Sequence, residues 1–299
     1  MSKIQIEHLA TEKSNPESIN LDELTPLEIV RLMNREDAKV ASAIEERLPQ
    51  IAKAVELIIE ALKEGGRVIY FGAGTSGRLA VIDASECPPT FSTTNEFIGI
   101  IAGGDGALRK SVEGAEDSDK LAVENLMDIK LSKKDIAIGI AASGRTPYVI
   151  GGLNYAGNIG AKTITISCNP NSEIGKLANV AIDVEVGPEV LTGSTRLKAG
   201  TAQKMILNML STASMVSFGK VYGNLMVDVN PSNIKLVERA KKIIMQTTGC
   251  TADTALDVLE KSDNKVKTAI VMIATSCSKN EANEKLHRAN GFIRKALAE

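Results

Sequence analysis

The stretch RVIYFGAGTSGR, residues 67–78, gives the clearest indication of the fold. Its first five residues form an apolar run of strand type, and three glycines, Gly72, Gly74 and Gly77, follow at once. Glycine lets the backbone turn sharply and approach a ligand closely. A helical pattern begins directly after the turn, and a helix start offers unpaired N–H groups to an anion. The stretch therefore predicts a strand, an anion-binding turn and a helix in immediate succession.

The same strand-then-helix rhythm continues on the C-terminal side of this stretch. Four more apolar runs follow, at residues 97–103, 135–143, 162–168 and 180–186. Helical patterns lie near residues 77–85, 107–129, 146–158 and 172–178. Runs that are apolar almost throughout are typical of parallel strands covered on both faces. The pattern predicts an α/β fold, a doubly wound parallel five-stranded sheet, with the loops that follow the strands along one edge.

Helical sequence flanks this core on both sides. Residues 1–20 carry no regular pattern, and Thr25-Pro26-Leu27-Glu28 then predicts a capped helix start. Pro49 predicts a new helix or a kink. After Gly193, helical patterns cover residues 196–220, 232–248, 251–261, 264–275 and 279–298. We expect three parts: an N-terminal helical segment (1–64), the α/β domain (65–222) and a small C-terminal helical unit (223–299).

Composition excludes several classes of protein. The 299 residues carry a formal charge of −2, aromatic residues make up 3%, and tryptophan is absent, which argues against nucleic-acid binding. The N-terminus is polar and no apolar run is long enough to span a membrane, so we expect a cytoplasmic protein. The only histidines are His8 and His287, which nearly excludes histidine-based zinc sites and Ser-His triads.

Two further segments resemble anion-binding turns. Residues 141–147, AASGRTP, also follow a strand and precede a helix, with Ser143 and Thr146 placed to donate to the same anion. Thr146-Pro147 is equally typical of a plain helix cap. Residues 191–201, LTGSTRLKAGT, gather hydroxyls and two cations at another helix start. Their alternative is a capped helix with Arg196 and Lys198 in solvent.

Alternatives also exist for the first turn. The spacing of Gly72, Gly74 and Gly77 matches the G-x-G-x-x-G dinucleotide pattern. That pattern requires an acidic residue at the end of the next strand, and here the next strand ends in glycine. A tight turn without a ligand is the other alternative. The Walker phosphate pattern is absent, because no Gly-Lys-Ser/Thr follows.

Acidic clusters are the remaining source of acid–base chemistry. DASECPP, residues 83–89, ends the helix after the first turn, and Pro88-Pro89 predicts an extended chain directly after Glu86. The second cluster is EGAED, residues 113–117. Most such residues lie on the surface, so these clusters are selected by elimination: without histidine or a metal cluster, carboxylates are the best proton-transfer groups.

At these loops the sequence resembles a known family. FGAGTSGRL, ASGRTPY and the alternating core resemble the sugar isomerase (SIS) domain. The longer runs DASECPPTF, VEGAEDS, LTGSTRLKAGTAQKMILNMLST and GNLMVDV resemble the N-acetylmuramic acid 6-phosphate etherases, over about residues 5–297. The glucokinase regulatory proteins share the domain and part of the LTGSTRLKAGT run, but they are much longer and contain two such domains.

The resemblance implies a lyase that releases D-lactate from N-acetylmuramic acid 6-phosphate and leaves N-acetylglucosamine 6-phosphate, in bacterial cell-wall recycling. It implies a homodimer without metal or organic cofactor. It assigns proton donation to Glu86 and a second catalytic role to Glu116, and a donor that stays protonated should lie in a dry pocket.

The phosphate-binding residues implied by the resemblance are Thr75, Ser76, Ser143, Gly144 and Thr146. Ser194, Arg196 and Lys198 are weaker candidates for substrate binding, in the same or a neighbouring subunit. An aldose–ketose isomerase and a non-catalytic sugar-phosphate sensor remain alternatives on the same domain, although binding alone requires neither glutamate.

Overall fold

The centre of the fold is a five-stranded parallel sheet. The structure is a computed structural model that describes residues 9–229, 231 and 233–298. The strands are β1 (Val68–Gly72), β2 (Phe97–Ile101), β3 (Ile136–Ile140), β4 (Lys162–Ser167) and β5 (Val180–Asp183), in the order β2-β1-β3-β4-β5. All four strand pairs are parallel, and β1 and β3 are buried along their whole length. The predicted fold class and all five predicted strands are confirmed.

The helices precede, connect and follow the strands. The N-terminal helices are α1 (Pro26–Asp37), α2 (Lys39–Glu45) and α3 (Leu48–Lys63). Those between strands are α4 (Gly74–Phe91), α5 (Gly106–Arg109), α6 (Asp119–Asp128) and α7 (Pro147–Asn158). After the sheet come α8 (Lys198–Ser217), α9 (Ile234–Thr248), α10 (Ala252–Lys261), α11 (Val266–Thr275), α12 (Lys279–Arg288) and α13 (Ile293–Ala296).

Local signals set several of these boundaries. The predicted capping box is present at α1, where the Thr25 side chain accepts from the Glu28 N–H and the Glu28 carboxylate accepts from the Thr25 N–H. Proline lies in the first turn of α1 and of α3, as predicted. Among the described residues, no helix is both long enough and apolar enough to cross a membrane.

The expectation that Pro88-Pro89 makes the chain extended is wrong, because α4 continues to Phe91. Proline fixes φ near the helical value, so a pair near the end of a helix is compatible with helical backbone, although each proline removes one N–H donor. The Ser92 N–H still bonds the Pro88 carbonyl at 2.9 Å. Cys87 and Phe91 of the same turns are buried, and this packing outweighs the lost hydrogen bonds.

Three predicted helices are shorter or divided. The pattern over 107–129 gives α5 and α6, separated by a loop in which Gly114 has a left-handed φ of 74°. The pattern over 172–178 gives only a 3-10 turn, Gly175–Leu177, because Ser172 bonds the Asp183 carboxylate through its N–H and hydroxyl. The last pattern, 279–298, divides at Asn290 and Gly291, which both have positive φ.

The described chain forms two compact units. One contains residues up to 85 and 95–211, and the other contains 86–94 and residues from 212 onward, so the boundary falls within α4 and α8. The N-terminal helices thus belong to the same compact unit as the sheet. The sheet unit buries Ile69 and Phe71 of β1 against Tyr148 and Leu153 of α7. The helical unit has a core of its own, which includes Ile244, Leu259 and Ile270.

A buried ionic cluster lies at the start of α8, within the sheet unit. The Lys198 ammonium is 2.5 Å from a carboxylate oxygen of Glu36 on α1, and both side chains are at most 3% exposed. Lys39 pairs with the other Glu36 oxygen. The backbone N–H groups of Lys198 and Ala199 donate to the two oxygens of buried Glu189, at 3.0 and 2.9 Å.

Candidate functional site

The candidate site lies where the strand order reverses. From β1 the chain moves outward to β2, and from β3 it moves the other way to β4, so the reversal falls between β1 and β3. Gly72 at the end of β1 pairs with Ile140 at the end of β3, which brings the two following turns together. In open α/β sheets, ligands bind outside the carboxyl ends of the strands at such a reversal.

A cavity of about 420 Å³ occupies this position. The turn after β1 and the turn after β3 form its walls, together with the N-terminal 3-10 turn and the loop before α6. Its polar lining consists of the side chains of Glu12, Thr75, Ser76, Glu116, Asp117, Ser143, Arg145, Thr146 and Thr195. The structure therefore brings four of the predicted phosphate-binding residues and one of the two predicted glutamates into one cavity.

The turn after β1 provides a helix start and two hydroxyls. Gly74 has a φ of 53°, in the left-handed region that favours glycine. Ser76 is buried, and its hydroxyl donates to the Gln203 Oε1 of α8 at 3.0 Å. Thr75 precedes it in the first turn of α4 and is half-buried. The turn thus places hydroxyls and N–H groups at the cavity wall, and Gln203 holds one of the hydroxyls.

The turn after β3 has the same construction. Gly144 has a φ of 71°, and a Cβ there would lie 2.4 Å from the Ser172 Cβ. The Arg145 N–H donates to the Ser143 hydroxyl oxygen at 3.4 Å. Thr146 is the N-cap of α7 with proline next to it, as predicted, but its side chain makes no capping hydrogen bond. Its hydroxyl therefore lines the cavity without closing its own helix.

Glu116 is the predicted carboxylate that lies at the cavity. It belongs to a 3-10 turn, Ala115–Asp117, that begins after Gly114. Ala115 is buried and anchors this turn, while Glu116 and Asp117 are exposed and line the cavity. An exposed carboxylate that lines the cavity can exchange protons with a ligand bound there.

Glu86 has a different setting. It lies in α4, roughly three helical turns beyond Thr75, and its side chain is exposed. Glu86 is not among the described residues that line the cavity. The single chain therefore does not enclose Glu86 in a dry pocket, and its catalytic role stays a prediction.

Asp83, three residues earlier in the DASECPP run, is structural. It is 6% exposed, and its carboxylate accepts hydrogen bonds from Asn208 and Ser211 of α8, at 2.8 and 3.2 Å. Burial raises the pKa of Asp83, and these hydrogen bonds oppose the rise only in part. Asp83 joins α4 to α8 and so fixes the direction of the helix that carries Thr75 and Ser76.

The third predicted segment contributes in a different way from that expected. Gly193 and Thr195 line the cavity, but Ser194, Arg196 and Lys198 do not. Arg196 is exposed, and Lys198 is 1% exposed and paired with Glu36. Sequence reasoning missed Glu12 and Gln203, because neither lies in a glycine-rich turn or an acidic cluster.

The strand order, the reversal point and the paired hydroxyl-rich turns define a sugar isomerase (SIS) domain. Residues 50–157 match the model of the glucokinase regulatory protein N-terminal SIS domain, and residues 118–213 match the SIS domain model. Two phosphoheptose isomerase structures share the fold, each with a TM-score of 0.50. The one from Neisseria gonorrhoeae is 18% identical, and the match covers 64% of this chain and 100% of that chain. The one from Francisella tularensis is 16% identical, and the match covers 63% of this chain and 100% of that chain.

The sequence identity to curated proteins is far higher than that to these isomerase structures. An N-acetylmuramic acid 6-phosphate etherase of Bacillus cereus is 56% identical over 293 residues, which cover 98% of this chain and 100% of the relative. The protein of that name from a Geobacillus species is 57% identical, with 98% and 99% covered. This chain belongs to the N-acetylmuramic acid 6-phosphate etherase family, which confirms the resemblance found in the sequence.

Proposed function

We propose that this protein is a carbon–oxygen lyase that cleaves the D-lactyl ether of N-acetylmuramic acid 6-phosphate, giving N-acetylglucosamine 6-phosphate and D-lactate. The observation that carries the proposal is the single cavity in which the Glu116 carboxylate and the hydroxyls of Thr75, Ser76, Ser143 and Thr146 meet. The similarity to etherases over the whole chain supports it.

The phosphate is held by the two turns. The N-terminal ends of α4 and α7 provide N–H groups and a partial positive charge. The hydroxyls of Thr75, Ser143 and Thr146 add donors, while the Ser76 hydroxyl donates to Gln203. Such a hold fixes one end of the sugar and leaves the rest of the cavity for the reacting carbons. Positioning of this kind contributes to the rate by holding reacting groups in a productive geometry.

The reaction requires proton transfers and no redox step. The sugar ring opens, so that the C1 aldehyde makes the C2 proton acidic. A base removes that proton, the C3–O bond to the lactyl group breaks, and an acid protonates the departing oxygen. Water then adds across the resulting C2=C3 double bond, so that C3 gains a hydroxyl and C2 regains a proton, and the sugar ring closes. Glu116 and Glu86 perform these proton transfers in the proposal, with Glu86 as the donor to the leaving oxygen.

Release of D-lactate tests the proposed function directly. Wild-type protein incubated with N-acetylmuramic acid 6-phosphate is expected to release D-lactate and N-acetylglucosamine 6-phosphate in equal amounts. An isomerase would change the sugar without releasing lactate, and a sensor would bind the sugar without changing it. Binding without lactate would refute the lyase.

A Glu86→Gln variant tests the proposed donor. The amide keeps the shape of the side chain but cannot donate a proton, so kcat for lactate release is expected to fall by roughly 10²- to 10⁴-fold. Asp83→Asn is the comparison for a structural effect, since Asp83 is buried and bonded to α8. The Asp83→Asn substitution is expected to lower the melting temperature. Near-normal release by Glu86→Gln would remove Glu86 from the mechanism.

Gly144→Ala is expected to weaken binding of N-acetylglucosamine 6-phosphate by roughly tenfold or more, because a left-handed φ and a close contact both penalise a side chain there. Gly157→Ala in α7 is the matched control, since its Cβ would meet nothing within 4 Å. Isothermal titration calorimetry of both variants measures the effect. Equal affinities would show that the turn after β3 does not hold the ligand.

The proposal includes a homodimer in the cytoplasm. Several large apolar side chains of the N-terminal segment are exposed, including Ile19 at 71% and Leu27 and Val30 at 56% each. Exposed apolar side chains gathered in one segment are typical of an interface. Light scattering coupled to size-exclusion chromatography measures the mass in solution, and a monomeric mass at micromolar concentration would contradict the dimer.

A further inference from the structure

We propose that Glu12 binds the sugar part of the substrate, with its carboxylate accepting hydrogen bonds from sugar hydroxyls or from the acetamido N–H. The inference rests on the proposed function, because it concerns the same cavity and the same substrate. It adds to that cavity a residue that recognises the sugar, whereas the two turns hold the phosphate and the catalytic glutamates transfer protons.

The Glu12 carboxylate lies at the cavity and has no partner there. Glu12 is half-buried and lines the 420 Å³ cavity. A Cβ on Gly193 would lie 3.4 Å from the Glu12 Oε2, so this oxygen lies beside a backbone segment that lines the same cavity. Within residues 9–229, 231 and 233–298, no hydrogen bond or ion pair reaches the carboxylate. Its oxygens are therefore available to a ligand.

The backbone around Glu12 is anchored on both sides. The N–H of the buried Thr11 donates to the Asn169 Oδ1 at 3.3 Å, and the Asn169 amide donates back to the Thr11 hydroxyl oxygen at 3.0 Å. Three residues after Glu12, the amide of the buried Asn15 donates to the Pro188 carbonyl at 3.2 Å. The carboxylate is thus held at the cavity before a ligand arrives, which lowers the entropic cost of binding.

Asn169 also connects this segment to the turn after β3. Its amide donates to the Ala142 carbonyl of that turn at 3.0 Å, in addition to its bond with Thr11. One buried side chain therefore fixes the position of the Glu12 segment relative to the phosphate-binding turn. A sugar anchored there by its phosphate presents its other groups to a carboxylate at a set position.

The charge of Glu12 selects the group of the ligand that it binds. A carboxylate repels a phosphate and accepts hydrogen bonds without donating any. In a phosphorylated N-acetyl sugar, the available donors are the hydroxyls and the acetamido N–H. Hydrogen bonds to an ionised acceptor are about twice as strong as those between neutral groups. Glu12 therefore adds affinity for the sugar and none for the phosphate.

The test measures the binding of three probes to wild type and to a Glu12→Ala variant by isothermal titration calorimetry. N-acetylglucosamine 6-phosphate should bind the variant roughly 10- to 100-fold more weakly, the usual effect of losing a hydrogen bond to a charged group. Inorganic phosphate, which has no sugar, should bind equally well or more tightly. Glucose 6-phosphate lacks the acetamido group, so a loss confined to the N-acetyl sugar identifies the N–H as the donor, and a loss for both sugars identifies the hydroxyls. Glu12→Gln should lose less, because its neutral amide oxygen still accepts.

Asp22→Ala is the matched control, since Asp22 is an exposed carboxylate of the same N-terminal segment that does not line the cavity. It should leave all three affinities unchanged. If Glu12→Ala weakens the binding of inorganic phosphate as much as that of the sugar phosphates, the substitution has disturbed the turns and the inference is wrong. Unchanged affinities for both sugar phosphates also overturn it. Failure of the proposed function is recognised separately, because wild-type protein would then release no D-lactate.

Discussion

In a Glu116→Gln variant, kcat for D-lactate release is expected to fall by roughly 10²- to 10⁴-fold, with KM nearly unchanged. The amide fills the same space on the 3-10 turn, so the cavity and its hydroxyls stay in place, but it can neither take nor give a proton. A large loss in kcat at constant KM is typical of an interaction made only in the transition state. Stopped assays of lactate with saturating substrate measure the effect.

Glu113→Gln is the matched control for this variant. Glu113 belongs to the same EGAED cluster and is exposed, but it does not line the 420 Å³ cavity. It borders a smaller cavity of about 180 Å³, and its substitution should leave kcat within about twofold. If Glu113→Gln lost activity and Glu116→Gln kept it, the catalytic glutamate would have been assigned to the wrong end of the cluster.

A Glu36→Gln variant is expected to lose about 3–5 kcal/mol of folding free energy, because it leaves the buried Lys198 ammonium without a counter-charge. Lys198 is 2% exposed as a side chain and Glu36 is 3% exposed, so water cannot replace the lost partner. Lys198→Met should cost less, since Glu36 keeps its pair with Lys39. Urea unfolding measured at pH 7 gives both values.

A double variant separates the ion pair from the packing. Glu36→Leu combined with Lys198→Met replaces two buried charges by apolar side chains, and such replacements are often neutral or stabilising. The double variant should therefore be more stable than Glu36→Gln alone. Glu17→Gln, in the exposed pair with Arg35 at 3.9 Å, should have no measurable effect. If Glu36→Gln were as stable as wild type, the pair would contribute nothing.

The same pair makes stability depend on pH. Burial alone would raise the pKa of Glu36, but the hydrogen bonds and charges of Lys198 and Lys39 outweigh it and hold the pKa below its ordinary value. A carboxylate whose pKa is lowered by folding stabilises the fold above its ordinary pKa, here 4.5, and loses that contribution as the pH falls further. The free energy of unfolding of the wild type should therefore fall relative to that of the Glu36→Leu, Lys198→Met double variant below about pH 4.5.

Sequence patterns predicted the sheet well and the loops less well. Each strand was predicted because parallel strands buried on both faces are apolar throughout, and this signal is local. The turn types at Gly74 and Gly144 were likewise predictable, since both residues adopt the positive φ that glycine favours. The continuation of α4 through Pro88-Pro89 was not, because it depends on the burial of Cys87 and Phe91.

The candidate site was partly predictable, because some of its residues also have a local signal in the sequence. Thr75, Ser76, Ser143 and Thr146 lie next to glycine or proline, and those neighbours mark them in the sequence. Glu12 reaches the cavity from a segment without any pattern. Gln203 accepts the Ser76 hydroxyl from a helix whose sequence resembles core packing. Their places depend on contacts between residues far apart in the chain, which a single sequence does not display.

The carboxylate of Glu189 has a consequence for the choice of ligand. In the sequence, the starts of α4, α7 and α8 all resemble sites for an anion. At α8, however, the protein supplies the anion itself, since Glu189 accepts the N–H groups of Lys198 and Ala199. An acidic side chain there occupies the N–H groups that an anion would otherwise bind. Of the three helix starts, those of α4 and α7 are left as candidates for binding a phosphate.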